Sequence, residues 1–275
     1  MDAGNRDYVS RQYSTDESLN IRIETHQRYG IGPADIFSRL TGIMWERRPQ
    51  PGRILDVGAG TGNWYRAIRS ELGRTPRYTG VDQSQGMVAR LRGLMDGDSR
   101  AEAMLADAQS LPFKDNEFDW VGMHFMLYHV PDIRAAVAEG WRVLKPSGIL
   151  TAATNGEHPY SALWDLAKES VRQSGLPGAA ENLSDRFTLS NGAEFFPVVP
   201  TVFAWMNGFR FTSAEPALRY LASGPLRLHL GTAADDASTV EQVLELVRTR
   251  IGAILDAEGI FQVPSQSGFF LAQKS

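Results

Sequence analysis

The sequence contains no cysteine and no long apolar run, although 43% of its 275 residues are hydrophobic. Without cysteine, neither a disulfide nor a thiolate metal site can form, and the cytosol is the simplest compartment. No apolar run reaches the roughly 18 residues of a membrane-spanning helix. The first residues lack the basic-then-apolar order of a secretory signal. We therefore expect a cytoplasmic protein with no membrane partner.

An excess of basic residues is also missing. The chain has 28 Lys and Arg against 32 Asp and Glu, a formal net charge of −4. A surface that neutralises nucleic-acid phosphates is therefore not expected, and the local group Arg47, Arg48 and Arg53 is typical of solvated surface. The five histidines stand at no metal-ligand spacing, so no metal site is expected. A small molecule is the expected partner, and monomer and homodimer both remain open.

The middle of the chain has the pattern of a parallel sheet. Between residues 53 and 153, apolar strands alternate with amphipathic helices, which is typical of an α/β fold with helices on both faces. The length allows one or two domains, and we expect a single domain over residues 1–275.

A glycine-rich turn follows the first of these strands. The run Ile54–Gly62 leads from a buried strand into a helix that opens at Asn63, and its glycines are Gly58, Gly60 and Gly62. Glycine permits positive φ and close approach of a ligand to the backbone. The spacing differs from the dinucleotide fingerprint, and Asp56 would repel a phosphate but suits an amino-bearing ligand. A purely structural strand-to-helix connection is the alternative.

Two further strands end in carboxylates. The segment 78–82 ends in Asp82, about 20 residues beyond the turn, where a ribose-binding acid is expected. The segment 103–108 contains Asp107 at the end of a third strand. Asp82 and Ser84 could instead only cap the following helix.

In this order the segments resemble those of the class I S-adenosylmethionine-dependent methyltransferases. The similar segments are 55–62, 80–82, 106–113, 118–121, 127–132 and 144–150, which together cover about residues 52 to 154. The resemblance implies a Rossmann-like doubly wound sheet, mostly parallel, with an antiparallel C-terminal hairpin strand. It also implies a helical N-terminal cap over residues 1–48, a cofactor-binding half over 49–155, and a substrate-binding half over 156–275 with an insertion between the fifth and sixth strands.

The same resemblance implies roles for individual residues toward S-adenosylmethionine. The methionine part would lie against the backbone of Gly58, Ala59 and Gly60, with Asp56 near its ammonium. Asp82 would accept from both ribose hydroxyls, and Asp107 would accept from the adenine amino group. The remaining contacts would come from residues around the nucleoside, namely Gln83, Met87, Ala108, His124 through its backbone, and Tyr13 or Tyr29 from the cap. Both tyrosines could instead only pack the cap.

Beyond residue 155 the pattern is less regular. We expect a helix over 160–174 and a strand near 201–206 that is apolar on both faces and therefore buried. Ser238 to Glu241 has capping-box spacing and opens a helix that ends at Gly259. Residues 261–263 and 269–272 predict a terminal hairpin.

Methyl transfer requires an aligned acceptor and, for hydroxyl or ammonium acceptors, removal of a proton. His158 and His129 follow the carboxyl ends of two strands and are the candidate bases, His158 ahead of His129. His129 could instead orient a helix start, while Pro159 should make His158 locally extended, toward the pocket or toward water. Aromatic residues crowd the substrate half, which favours an apolar or aromatic acceptor of the kind met in secondary metabolism. They are Tyr160, Trp164, Phe195, Phe196, Phe203 and Trp205.

Two other functions remain open. The same cofactor site could belong to a cyclase or pericyclase that does not transfer the methyl group, or to a non-catalytic regulator. A dinucleotide-dependent oxidoreductase is disfavoured by the glycine spacing and by Asp56.

Overall fold

A computed structural model describes residues 16–32, 35–176 and 183–275. The chain forms two compact units. The sheet unit comprises residues 35–157, 184–205 and 267–275, and the helical unit comprises the described parts of 1–34, 158–183 and 206–266.

Parallel strands form the centre of the sheet unit. They are β2 (Arg53–Val57), β3 (Arg77–Asp82), β4 (Ala101–Leu105), β5 (Phe118–His124) and β6 (Leu144–Asn155), in the spatial order β6-β5-β2-β3-β4. The chain runs outward from β2 to β4 and then crosses to the other side of β2 to form β5. The strand order therefore reverses between β2 and β5, which is where open α/β sheets bind ligands.

Helices cover both faces of these strands. They are α2 (Ile36–Arg47), α3 (Asn63–Leu72), α4 (Gln85–Leu94) and α5 (Ile133–Val143). Alternate residues of β2 face opposite layers: Leu55 lies in the same buried cluster as Val137 of α5, and Ile54 in the same cluster as Trp64 of α3. Both clusters bury continuous apolar strand surface, as the fold class expected from the sequence requires.

The helical unit contains α1 (Asp16–Tyr29), α6 (Ser161–Gln173), α7 (Glu215–Ala222), α8 (Pro225–Leu230) and α9 (Ala237–Glu258). Its short strand β1 (Gly30–Ile31) pairs antiparallel with the end of β7 (Thr201–Phe211). The core of this unit includes four fully buried side chains, those of Leu163, Phe209, Leu221 and Val247. The single-domain organisation stays a prediction.

The start of α9 differs from the predicted capping box. Asp236 is the N-cap, and its carboxylate accepts from the Ser238 amide at 3.0 Å and from the hydroxyls of Ser238 and Thr239. A carboxylate two residues earlier outcompetes the serine because it only accepts hydrogen bonds, whereas the hydroxyls are free to donate. The predicted end at Gly259, with φ 71°, is confirmed.

The C-terminal segment is antiparallel to β6, as predicted, but it is not a hairpin. Residues Phe261–Gln273 form one strand, β8, whose second half pairs with β6 from Ser267↔Asn155 to Gln273↔Ile149. Gly268 marks a close approach and not a turn, since a Cβ there would stand 2.1 Å from the carbonyl oxygen of Phe203.

The strand predicted near 201–206 exists within β7, but the prediction that it is buried is wrong. Val202 is 47% exposed and Met206 62% exposed, while Phe203 stacks on Phe269 at 4.8 Å between ring centroids. Among the described residues, β1 pairs only with Gly208 and Phe209, so the first half of β7 has an unpaired edge toward β1. The exposed Val202 and Met206 alternate along the strand and show that one of its faces lies in solvent.

Candidate cofactor and active site

The loop after β2 has the backbone that its glycines predict. Gly58, Gly60 and Gly62 have φ of 69°, 51° and 76°, and the amides of Gly58 and Ala59 donate to the carbonyl of Val81 at 2.8 and 3.0 Å. A Cβ on Gly60 would find its nearest neighbour at 3.9 Å, so space remains open beside this residue. The loop is held rigidly to β3 and leaves room for a ligand against its backbone.

Asp82 braces this loop from the end of β3. Its Oδ2 accepts from the Gly60 amide at 3.0 Å and its Oδ1 from the Ser84 amide at 2.9 Å. Burial raises the pKa of this carboxyl, and the backbone hydrogen bonds oppose that rise. Ser84 caps α4 by accepting from the Met87 amide at 3.4 Å. The capping interpretation thus describes part of the turn, yet the carboxylate has more acceptor lone pairs than its backbone donors Gly60, Ser84 and Gln83 occupy.

Asp56 is 3% exposed, and its Oδ2 accepts a hydrogen bond from the Tyr78 hydroxyl. Burial is the main reason that the pKa of Asp56 rises from 3.8 to about 7; the Tyr78 hydrogen bond opposes the rise and the charge of Asp82 adds to it. This carboxyl can therefore hold a proton near neutral pH.

The residues predicted around adenine lie past β3 and β4. Asp107 is exposed, and its Oδ1 accepts from the backbone and side-chain nitrogens of Gln109 at 2.9 and 3.0 Å. Ala108 is buried, Gln83 is exposed and Met87 is half-buried. All four belong to the sheet unit, at the carboxyl-end edge that also holds the glycine loop.

The His124 side chain belongs to the core. Its Nε2 lies 2.9 Å from Oγ1 of Thr151, and its ring meets the Trp64 ring edge-on at 4.6 Å. Burial lowers the pKa of His124 to about 3, so the imidazole is neutral. Only the backbone of this residue is available to a ligand.

The two candidate bases have different settings. His129 is half-buried at the end of a short 3₁₀ turn, Leu127–His129, with its ring 4.6 Å from that of Tyr128. His158 is exposed and has φ of 47°, so the expectation of an extended residue before Pro159 is wrong. Tyr160 is also left-handed, with φ of 59°, and two such residues around a proline mark local backbone strain.

Glu157 is a third candidate, which the sequence did not single out. It is exposed, and its Oε1 accepts from the Ser190 hydroxyl at 2.6 Å; Ser190 in turn lies 2.8 Å from the Thr188 hydroxyl. The partner is 33 residues away in sequence, so only the fold reveals a carboxylate held in place beyond β6.

Tyr13 lies outside the described residues, and Tyr29 packs its ring 5.3 Å from Phe211 in the helical unit. Within the described ranges, no group of three or more acidic or histidine side chains could hold a metal ion. No helix in the described part of the chain combines the length and apolarity needed to cross a bilayer.

These features fit S-adenosylmethionine better than a dinucleotide. The space beside Gly60 can hold the methionine part of the ligand. The remaining lone pairs of Asp82 suit the two hydroxyls of a ribose, and the buried carboxyl of Asp56 suits a cation.

The chain is similar to proteins named as methyltransferases. Residues 55–152 match a family described as a methyltransferase domain. A demethylmenaquinone methyltransferase of Clavibacter sepedonicus is 32% identical over 182 residues, covering 65% of this chain and 72% of the relative. One of the same name from Staphylococcus aureus is 39% identical over 98 residues, 36% of this chain and only 41% of the relative.

Solved structures share the fold. The YcgJ protein of Bacillus subtilis aligns with a TM-score of 0.55 and 20% identity, covering 86% of this chain and 97% of its own. A Haemonchus contortus phosphoethanolamine N-methyltransferase, solved with phosphomonomethylethanolamine and S-adenosylhomocysteine, aligns with a TM-score of 0.55 and 21% identity, covering 98% and 60%. The chain belongs to the class I S-adenosylmethionine-dependent methyltransferases, and S-adenosylmethionine is its cofactor.

Proposed function

We propose that this methyltransferase acts on a small, apolar or aromatic acceptor. The methyltransferase part of the proposal rests on the glycine loop at the reversal of strand order, braced by Asp82 and open beside Gly60. The acceptor class rests on the aromatic side chains discussed below. A relative whose name gives demethylmenaquinone as its substrate supports an acceptor with an apolar body. Production of secondary metabolites and action in the cytosol stay predictions, as does the choice between monomer and homodimer.

We propose the following roles for the cofactor-binding residues. Asp82 accepts from the ribose hydroxyls with its remaining lone pairs, while Asp107 takes the adenine amino group beside Ala108 and Met87. Asp56 faces the ammonium, and the backbone from Gly58 to Gly60 lies along the methionine part. In this arrangement the methionine part of the ligand lies at the end of β2, and its nucleoside lies at the ends of β3 and β4.

When bound, S-adenosylmethionine supplies a methyl group already activated by its sulfonium. The protein then has to exclude water, align the acceptor in line with the transferred methyl, and accept a proton if the acceptor is a hydroxyl or ammonium. Three groups beyond β5 and β6 are candidates for the proton: His158, His129 and Glu157. Ser190 fixes one oxygen of Glu157 and leaves the other for an acceptor.

The aromatic residues of the substrate half divide into two sets. Tyr160 is 8% exposed and stacks on Phe209 at 4.8 Å, and Phe196 is 9% exposed against Phe270, so both stabilise core. Three others lie in the sheet unit, are half-buried and keep ring surface that a ligand can contact; they are Phe195, Phe203 and Trp205. Trp164 belongs to the helical unit, where its half-buried ring packs 5.2 Å from that of His229. Apolar surface with few polar anchors is typical of small-molecule sites.

The test is a turnover assay with S-adenosylmethionine and two acceptor panels. One panel holds quinols, phenols and polyketide-like aromatics, and the other holds sugars and short amines. We expect an aromatic product heavier by one methyl group, together with S-adenosylhomocysteine. Methylation confined to the hydrophilic panel would contradict the acceptor class, and a rearranged product without added methyl would identify a cyclase.

A further inference from the structure

Asp56 lies between two glycines on neighbouring strands. In register, it pairs with Gly80 of β3 and with Gly122 of β5. A Cβ on Gly80 would stand 2.5 Å from Leu91 and 3.3 Å from Cε1 of Tyr78, and one on Gly122 would stand 2.3 Å from the ring of Trp64. Because neither position has a side chain, two large rings close over the sheet beside the carboxyl and bury it.

This carboxyl has one neutral hydrogen-bond donor. The Tyr78 hydroxyl donates to Oδ2, and Tyr78 is itself 1% exposed. Among the described residues, no cationic side chain bonds to either oxygen. A buried carboxyl held by one neutral donor lacks the cation that would compensate its charge.

The groups around Asp56 do not provide that cation. Asp82 on β3 repels it, and the neutral His124 on β5 carries no charge. On α3, the charges of Tyr65 and Arg69 affect the pKa of Tyr78. Both side chains donate hydrogen bonds to Asp98, at 2.9 and 2.7 Å, and not to Asp56. Burial keeps the pKa of Asp56 near 7 and that of Tyr78 well above its usual range, so any proton lost from this pair near neutral pH comes from Asp56.

We propose that Tyr78 is a positioning residue that holds Asp56 for the ammonium of S-adenosylmethionine, and that cofactor binding releases the proton of Asp56 to solvent. The proposal rests on the proposed role of Asp56. The Asp56 O–H bond breaks, the carboxylate keeps the electron pair, and the ammonium of the ligand compensates the new charge while Tyr78 continues to donate to Oδ2.

The test is calorimetry with S-adenosylhomocysteine, between about pH 5.5 and about pH 7.5 so that the ligand's own amino group stays charged. In the wild type we expect the affinity to rise by up to about tenfold per pH unit and to level off near pH 7, since one proton is released per ligand. Buffers of different ionisation enthalpy should report the same proton. Adenosine, which has no ammonium, should bind with little dependence on pH.

Tyr78→Phe keeps the ring and removes only the hydrogen bond that favours the carboxylate. Its affinity curve should therefore level off at a higher pH than that of the wild type. Tyr65→Phe is the matched control, because it removes a buried hydroxyl from the same layer that bonds to Asp98 instead, and its curve should match the wild type. Affinity that does not vary with pH, or equal curves for both variants, would overturn the inference. Failure of S-adenosylhomocysteine to bind at all would instead refute the proposed cofactor site.

Discussion

The backbone N–H of Gly60 donates to Oδ2 of Asp82 across 3.0 Å, so a carboxylate at the end of β3 fixes the loop that follows β2. Asp82→Ala should therefore weaken cofactor binding twice over, by loosening the loop and by removing the acceptors for ribose. We expect a loss of about 1.5 to 3 kcal/mol, the scale of hydrogen bonds to a charged group. Calorimetry with S-adenosylhomocysteine measures it.

Ser84→Ala is the control for this variant. It removes the helix cap but keeps the carboxylate, so it should lower the free energy of unfolding by about 1 kcal/mol and leave ligand affinity nearly unchanged. Equal affinities for wild type and Asp82→Ala would show that ribose binds elsewhere.

Alanine substitutions at two glycines, Gly60 and Gly97, can distinguish the cost of backbone strain from the loss of ligand contact. Gly60 and Gly97 both have positive φ, 51° and 74°, and a Cβ meets nothing closer than 3.9 Å at the first and nothing within 4 Å at the second. Replacing either by alanine should cost about 1 kcal/mol of stability. Only Gly60→Ala should also lower cofactor affinity, because its Cβ enters the space reserved for the ligand. Comparing chemical denaturation and calorimetry for both variants tests this, and similar affinities would place the ligand away from Gly60.

His124 should lower the free energy of unfolding as the pH falls. Burial lowers its folded-state pKa to about 3 from 6.5, so the unfolded chain takes up the proton first. The contribution of neutral His124 is therefore complete above pH 6.5 and is lost as pH falls toward 3. The loss is at most about 1.4 kcal/mol per pH unit for one proton.

His124→Gln should remove this slope while leaving cofactor affinity within about twofold, since only the backbone is available to the ligand. Urea unfolding at several pH values between 7 and 4 gives the difference between wild type and variant. Asp56 has a raised folded-state pKa, so its contribution to the free energy of unfolding increases as pH falls, opposite to that of His124. Because Asp56 is present in both proteins, its contribution cancels in the difference between wild type and variant. Parallel stability curves would mean that His124 ionises in the folded protein.

Three variants with glutamine in place of a candidate base can show which residue removes the proton from the acceptor. We expect His158→Gln to lower kcat by about 100-fold or more with a hydroxyl acceptor, the usual range for a general base, at unchanged cofactor affinity. His129→Gln should have a smaller effect. Glu157→Gln is the decisive comparison: if it alone causes the large loss, and Ser190→Ala a partial one, the base is Glu157.

The cofactor-binding strands were predictable because their chemistry is local. The run Ile54–Gly62 contains strand, turn and helix start within nine residues, and positive φ at its glycines follows from what glycine alone permits. The pairing of Asp56 with Tyr78 was not predictable, because it requires the register of β2 against β3 and the absence of a side chain at Gly80.

Errors arose where tertiary contacts decide. The predicted hairpin over 261–272 places Gly268 in its turn, yet this glycine permits close approach of Phe203 in a continuous strand. The apolar run at 201–206 predicts a buried strand, because the sequence cannot show that the face carrying Val202 and Met206 is left in solvent. Likewise, the backbone at His158 departs from the usual preference before proline.

The most direct measurement is a crystal structure with S-adenosylhomocysteine bound. It should show both ribose hydroxyls on Asp82, the adenine amino group beside Asp107, and the ligand's ammonium beside Asp56, with the methionine part along Gly58 to Gly60. A nucleoside bound away from the ends of β2, β3 and β4, or a phosphate group seated on the glycine loop, would contradict the account.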